Sequence, residues 1–350
     1  MSSDQKSLEQ GGGGWEPPVL PAVDDLPPFV QHRWIRGGHL QTVLSLRSPP
    51  QPELDPTLHW VTLEDGDQLA LHDDCPAGWR PGDASVMLVH GLCGCRLSPY
   101  MVRLAAFHVA AGMRVFRLEM RGCGVGRDHS QGVTHAGRDD DCLAALAKVA
   151  ELTAAGPISA VGVSLGGNQL LLAAGRIGGG QQPSPSWLPR WRRLVAVSPP
   201  IDLLRCSDHM QRRILRPYNR FFISTLMRRL PGPIRESPER MLRFARPWPK
   251  TLRELDERIT APLSGFAGAD DYYRRSSASN VIDAIEVPTL ILTAADDPIV
   301  PVDCFTDLAT ATRSHPAVRV LISPGGGHVG FFARGDERFY MDRVIAAWLA

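Results

Sequence analysis

A serine hydroxyl becomes a nucleophile when a base stands beside it and an acid orients that base. Gly162-Val163-Ser164-Leu165-Gly166 offers such a serine. The pentapeptide directly follows the apolar run Ile158–Val163 and opens a helix-like run from Leu165 to Arg176. A strand-to-helix turn of this G-x-S-x-G type strains the backbone, and its glycines let the chain approach its neighbours. The turn lifts the hydroxyl over the sheet at a helix N-terminus, where N–H groups favour developing negative charge. A chance match of common residues is the bland alternative, and the strand–turn–helix context argues against it.

Where this elbow occurs, the acid and then the base follow the serine, each just past a strand. Ala294-Ala295-Asp296-Asp297-Pro298 follows the apolar run Thr289–Thr293. Ser323-Pro324-Gly325-Gly326-Gly327-His328 follows Ala317–Ile322. Both residue types arrive at the carboxyl ends of strands, where open α/β sheets place their sites. Alone, Asp297 reads as a turn or N-cap carboxylate and His328 as a surface-loop histidine. In order with Ser164 they read as orienting acid and base. The acid is open between Asp296 and Asp297. Asp297 is preferred because it stands at the turn into the next helix, directly before Pro298, which leaves Asp296 to face solvent or support the loop.

Acyl transfer also needs donors for the tetrahedral oxyanion. His90-Gly91-Leu92-Cys93-Gly94 follows the run Ser85–Val89, the place from which such sites draw a second N–H. The backbone N–H groups of Leu92 and Leu165 are therefore the expected oxyanion hole. His90 reads as a brace of that loop, not a proton shuttle.

The scaffold for these residues is equally patterned. Leu58–Leu63 and Gln68–Asp73 alternate around an Asp-Gly turn, the signature of a hairpin. Six apolar runs follow: Ser85–His90, Met113–Leu118, Ile158–Val163, Leu194–Ser198, Thr289–Thr293 and Ala317–Ile322. Helical patterns at Pro99–Ala111, Arg138–Leu152, Leu165–Arg176, Val302–Thr312 and Asp336–Leu349 separate or close them. This predicts an α/β fold: a mostly parallel eight-stranded sheet with helices on both faces. Residues 1–28, Gly-rich and then Pro-rich, read as a flexible N-terminal arm. Residues 202–280 show no strand run and read as helical stretches interrupted by Pro217, Pro231, Pro233, Pro247 and Pro249, a helical cap inserted into a core of 29–201 and 281–350.

Composition narrows the function classes. The 350 residues carry 38 Lys+Arg and 37 Asp+Glu, a net charge of +1, with no basic excess to suggest nucleic acid binding. Seven cysteines without a C-x-x-C pair argue against a disulfide framework or structural zinc, and point to a reducing, cytoplasmic setting. The N-terminus lacks the apolar core of a secretory signal, and the longest apolar runs fall far short of a membrane span. Gly122-Cys123-Gly124-Val125-Gly126 has Arg127 where a dinucleotide loop needs its third glycine. No Walker-A or H-E-x-x-H pattern occurs, so neither cofactor nor metal is expected.

Several separated blocks give the chain a family resemblance. They are Gly38-His39-Leu40-Gln41-Thr42, His90-Gly91-Leu92, Arg121-Gly122-Cys123, Gly162–Asn168, Asp271-Tyr272-Tyr273-Arg274, Asp296-Asp297-Pro298 and Gly326–Phe331. Spread over roughly residues 30 to 340, they resemble the YheT-like branch of the α/β-hydrolase superfamily. The elbow is generic to that superfamily; the H-L-Q-T, R-G-C, D-Y-Y-R and G-G-H-V-G-F blocks narrow it to the branch. The resemblance implies an α/β-hydrolase fold with a helical cap and an esterase or lipase-like hydrolase. Its Ser-Asp-His triad falls on Ser164, Asp297 and His328. The chain departs from the family pattern at Gly37-Gly38 and at Cys95.

The expected activity is therefore serine carboxylic ester hydrolysis through an acyl-enzyme, on a small-molecule acyl ester. An acyltransferase would use the same acyl-enzyme with an alcohol in place of water. A non-catalytic binding protein on the same scaffold is the rival outside enzymology, and the complete trio argues against it. The near-neutral total hides a split: 202–280 carries +7 and the remainder −6. Met210–Leu230 alone holds six arginines and no acid. This is either a helix with a solvated arginine face or a surface drawn to anionic lipid or a phosphate-bearing ester.

Overall fold

A computed structural model of the chain describes residues 20–47, 54–242, 247–335 and 339–350. Its centre is one eight-stranded sheet in the order β1-β2-β4-β3-β5-β6-β7-β8. The strands are β1 (Thr57–Thr62), β2 (Gln68–Asp74), β3 (Ser85–Val89), β4 (Arg114–Glu119), β5 (Ile158–Val163), β6 (Trp191–Val197), β7 (Thr289–Ala294) and β8 (Val318–Ser323). β1 and β2 form the expected antiparallel hairpin, with Val61 opposite Leu69, and β2 runs antiparallel to β4. All other pairings are parallel.

Parallel strands covered on both faces must be apolar along their whole length. β3, β5 and β7 are accordingly buried at every residue. The two-residue side-chain period divides each of them between two cores. In β3, Met87 and Val89 join one core, and Val86 and Leu88 join the other. Helices α3 (Asp139–Thr153) and α4 (Leu165–Gly178) supply the first core. Helix α2 (Pro99–Ala110) and the last helix, which buries Trp348 completely, supply the second. Each such side chain removed from water contributes about 1.5–3 kcal/mol.

Between β6 and β7 the described residues contain no strand. Helices α5 (Leu203–Met210), α6 (Arg216–Arg228) and α7 (Ala269–Ser276) are joined by shorter helical turns, and Ile223, Met227, Leu230, Leu255 and Ile259 form a small core of their own.

Some elements differ from the sequence pattern. β6 begins at Trp191, three residues early, because Arg192 and Arg193 interrupt the apolar run although they lie on the strand. A seven-residue helix, α1 (Gly38–Leu44), had no periodic signal at that length. The last helix begins at Tyr340, whereas 336–338, where the pattern placed its start, lie outside the described residues. Of the arm expected over 1–28, residues 1–19 also lie outside them. Within 20–28, Leu26 is buried against the second core.

Candidate active site

The elbow forms where β5 ends and α4 begins. Ser164 sits at φ 54°, ψ −119°, a conformation that a residue with a side chain rarely adopts. Two glycines make this turn possible. A β-carbon at Gly162 would lie 2.4 Å from the Gly166 carbonyl oxygen, and one at Gly166 would lie 2.6 Å from the His90 carbonyl oxygen. The Ser164 N–H donates to the Val197 carbonyl at 2.7 Å, which fixes the turn to β6.

The structure brings the three candidate side chains together from three strand ends. His328 Nε2 lies 3.0 Å from Ser164 Oγ. His328 Nδ1 lies 2.8 Å from Asp297 Oδ2. An ionised carboxylate only accepts, so this contact places the imidazole proton on Nδ1 and turns the Nε2 lone pair toward the serine. Asp297 Oδ1 accepts the N–H groups of Ile299 and Val300 at 2.8 and 3.0 Å, which anchors the carboxylate. Asp296 points elsewhere. Its Oδ1 accepts the Gly327 N–H at 2.8 Å and so braces the loop that carries His328.

The loop after β3 stands across from the elbow. Leu92 and Leu165 line the same cavity wall as Ser164. Among the described residues neither of their N–H groups donates to a protein acceptor. His90 is fully buried with Nδ1 2.8 Å from the Gly91 carbonyl, and its Nε2 accepts the Met120 N–H at 3.1 Å. Burial depresses its pKa to about 4, so it is a neutral brace. Cys93 takes a positive φ of 62°, and Arg229 Nη1 from the end of α6 donates to the carbonyls of Cys93 and Gly94 at 2.7 and 3.1 Å. Burial pushes the Cys93 thiol up to about 12, so no thiolate competes with the serine.

Sequence reasoning left the H-L-Q-T block without a chemical role. In the fold it is the support of the His328 loop. Gln41 Oε1 accepts the Phe332 N–H at 2.7 Å, and Thr42 Oγ1 accepts the His328 N–H at 2.8 Å. Two further blocks supply residues that tie the fold together. Arg121 reaches Asp67 and both oxygens of Asp141, tying the β1–β2 turn to α3. Asn168 donates to the carbonyls of Ala136 and Ser276 and accepts from Ala278, fixing α4 to the end of α7. Spacing alone carried no sign of these partners, because they are distant in the chain. Among the described residues no group of three or more His, Cys, Asp or Glu side chains is gathered to hold a metal ion, and no helix is long and apolar enough to cross a membrane.

The comparisons agree with this architecture. The family model described as alpha/beta hydrolase fold matches residues 84–334. The chain is 29% identical to the protein YheT of Escherichia coli (strain K12), over 92% of each chain. It is 24% identical to phospholipase ABHD3 of Homo sapiens, over 89% of this chain and 76% of that protein. Among solved structures, the esterase Pf2001 of Pyrococcus furiosus superposes with a TM-score of 0.55 at 16% identity, over 93% of this chain and 97% of that one, a likeness of fold. The chain belongs to the alpha/beta hydrolase fold family, and within it resembles the branch that contains YheT.

Proposed function

We propose that the protein is a serine carboxylic ester hydrolase in which Ser164, Asp297 and His328 act as a triad. The observation that carries the reading is the continuous chain from Asp297 Oδ2 through His328 to Ser164 Oγ, at 2.8 and 3.0 Å. Ser164 Oγ attacks the acyl carbonyl while its proton passes to His328 Nε2. Asp297 holds the imidazole in the required tautomer and stabilises the imidazolium. The oxyanion meets the N–H groups of Leu92 and Leu165. The bond from the acyl carbon to the leaving oxygen then breaks, and His328 returns its proton to that oxygen. A water molecule, activated by the same imidazole, releases the acid from the acyl-enzyme.

In this reading residues 202–280 form a cap over a core of 29–201 and 281–350. The substrate is a small-molecule acyl ester, and the seven thiols favour a cytoplasmic setting. A peripheral contact with anionic lipid fits the mouth of the site. Val43, Leu46, Ile214 and Phe221 line the open side and are 54, 58, 66 and 46% exposed. Arg212, Arg213, Arg216 and Arg220, on the same segment as Ile214 and Phe221, are exposed. An apolar rim among cations suits a surface of anionic headgroups, and a phospholipase among the relatives agrees with a lipid ester.

The test is hydrolysis of p-nitrophenyl esters by the purified chain, with product analysis in the presence and absence of added alcohols. Release of free acid supports hydrolysis, and accumulation of a new ester supports transfer. The absence of any ester turnover would remove the reading.

A further inference from the structure

Two cavities meet at Ser164. The inner one, about 170 Å³, runs between the sheet and the helical segment and is lined by buried side chains including Leu165, Leu203, Met210, Leu255 and Ile259. The outer one, about 620 Å³, is lined by Thr42, Val43, Leu46, Ile214, Tyr218 and His328. Leu92, Ser164, Phe222 and Ile299 line both.

Several polar side chains of the inner cavity are engaged with protein partners. Tyr273 Oη donates to Asp256 Oδ2 at 2.8 Å, and Thr260 Oγ1 donates to Asp256 Oδ1 at 2.7 Å. Ser207 Oγ donates to Tyr273 Oη at 3.3 Å. Tyr272 Oη accepts the Ala136 N–H at 2.9 Å. Arg229 is held by the carbonyls of Cys93 and Gly94. The surface left for a guest is mostly hydrocarbon.

Proton transfer separates the two spaces by role. His328 must hand its proton to the leaving oxygen, so the alcohol part of an ester lies on the side that His328 lines, the outer cavity. Leu165, whose N–H is assigned above to the oxyanion hole, lines the inner cavity and not the outer. We propose that the inner cavity is the acyl subsite and the outer cavity the alcohol subsite. A protein cavity of about 150 Å³ takes a benzene ring, so the acyl subsite suits an unbranched apolar chain of about six carbons. The alcohol part is larger and reaches the exposed apolar rim. The assignment rests on the ester-hydrolase reading and gives it a substrate class: esters of a short, apolar acid with a bulky alcohol.

Two ester series test it. One varies the acid from acetate to dodecanoate on p-nitrophenol; the other varies the alcohol from methyl to dodecyl on hexanoate. The wild type is expected to lose about tenfold or more in kcat/KM between hexanoate and dodecanoate, and to keep pace along the alcohol series. Ile259→Phe narrows the inner cavity and should lower the hexanoate-to-acetate ratio about tenfold. Val133→Phe, on a partly buried part of the same wall, is the second variant if the first fails to fold. Ile214→Ala on the outer rim should change ratios in the alcohol series only. If the Phe variants instead reshape the alcohol series, or if neither series responds to any of them, the assignment is overturned. No turnover of any ester by the wild type removes the ester-hydrolase reading and the assignment with it. Turnover with the opposite pattern removes the assignment alone.

Discussion

The hydroxyl of Thr42 stands between two backbones: it donates to the Gly38 carbonyl at 2.6 Å and accepts the His328 N–H at 2.8 Å. The two residues lie at opposite ends of the chain, and α1 delivers the contact. Around it the backbones touch. A β-carbon at Gly327, whose φ is +58°, would lie 2.3 Å from the Gly38 carbonyl oxygen, and one at Gly38 would lie 1.7 Å from that of Asp296. The imidazole is thus positioned by a helix that itself rests on the acid's loop.

Removing that hydroxyl should misplace the imidazole. Thr42→Val keeps the shape and leaves the His328 N–H without its partner. A displacement of about 1 Å is enough to cost about 100-fold, so the loss is expected mainly in kcat. Thr42→Ser should restore most of it. Equal losses in both variants would argue for a packing role.

The adjacent carboxylates should separate by mutation. Asp297→Asn presents the wrong partner to Nδ1 and is expected to lower kcat about 10⁴-fold. Asp296→Asn keeps an oxygen able to accept the Gly327 N–H and should cost less than tenfold, a small fraction of the other loss. The reverse ranking in steady-state kinetics would move the acid to Asp296.

This pair shows where sequence was sufficient and where it was not. Ser164, Asp297 and His328 stand at strand ends, and strands of five to seven apolar residues are visible in one dimension. The choice between Asp296 and Asp297 rested on the place of Asp297 directly before Pro298, at the turn into the next helix. The role of Thr42 was invisible, because α1 is too short for periodicity and its partners come some 290 residues later. Trp191 was missed as the start of β6 for a different reason: an edge of a strand tolerates arginines that a hydropathy pattern reads as loop.

Buried neutral histidines should make the fold sensitive to acid. His108 is buried on α2 with Nε2 unbonded among the described residues, and burial depresses its pKa to about 4. Its ordinary value is 6.5. Between those values the unfolded chain binds a proton that the folded chain does not, so folding stability falls as pH drops from about 6.5 to about 4. His108→Leu should remove that proton and flatten the slope by up to about 1.4 kcal/mol per pH unit. Denaturant unfolding at pH 7, 6 and 5 measures it, and an unchanged slope contradicts the assignment.

The arginines at the mouth should act through salt. Charges on the surface are screened over about 8 Å at physiological ionic strength. Co-sedimentation with phosphatidylglycerol vesicles should therefore exceed that with phosphatidylcholine vesicles at low salt and fall as salt rises. Arg212→Glu, Arg213→Glu and Arg216→Glu together should abolish the difference. Binding indifferent to lipid charge, salt and these changes leaves the arginines as a solvated helix face.

The central claim is that Ser164 is a nucleophile activated by His328. Intact-mass analysis after treatment with a fluorophosphonate reads it directly. The account predicts one adduct per chain, mapped to Ser164, abolished in Ser164→Ala and strongly slowed in His328→Ala. Wild-type labelling of Ser164→Ala, or ester turnover in it near the wild-type rate, would contradict the account.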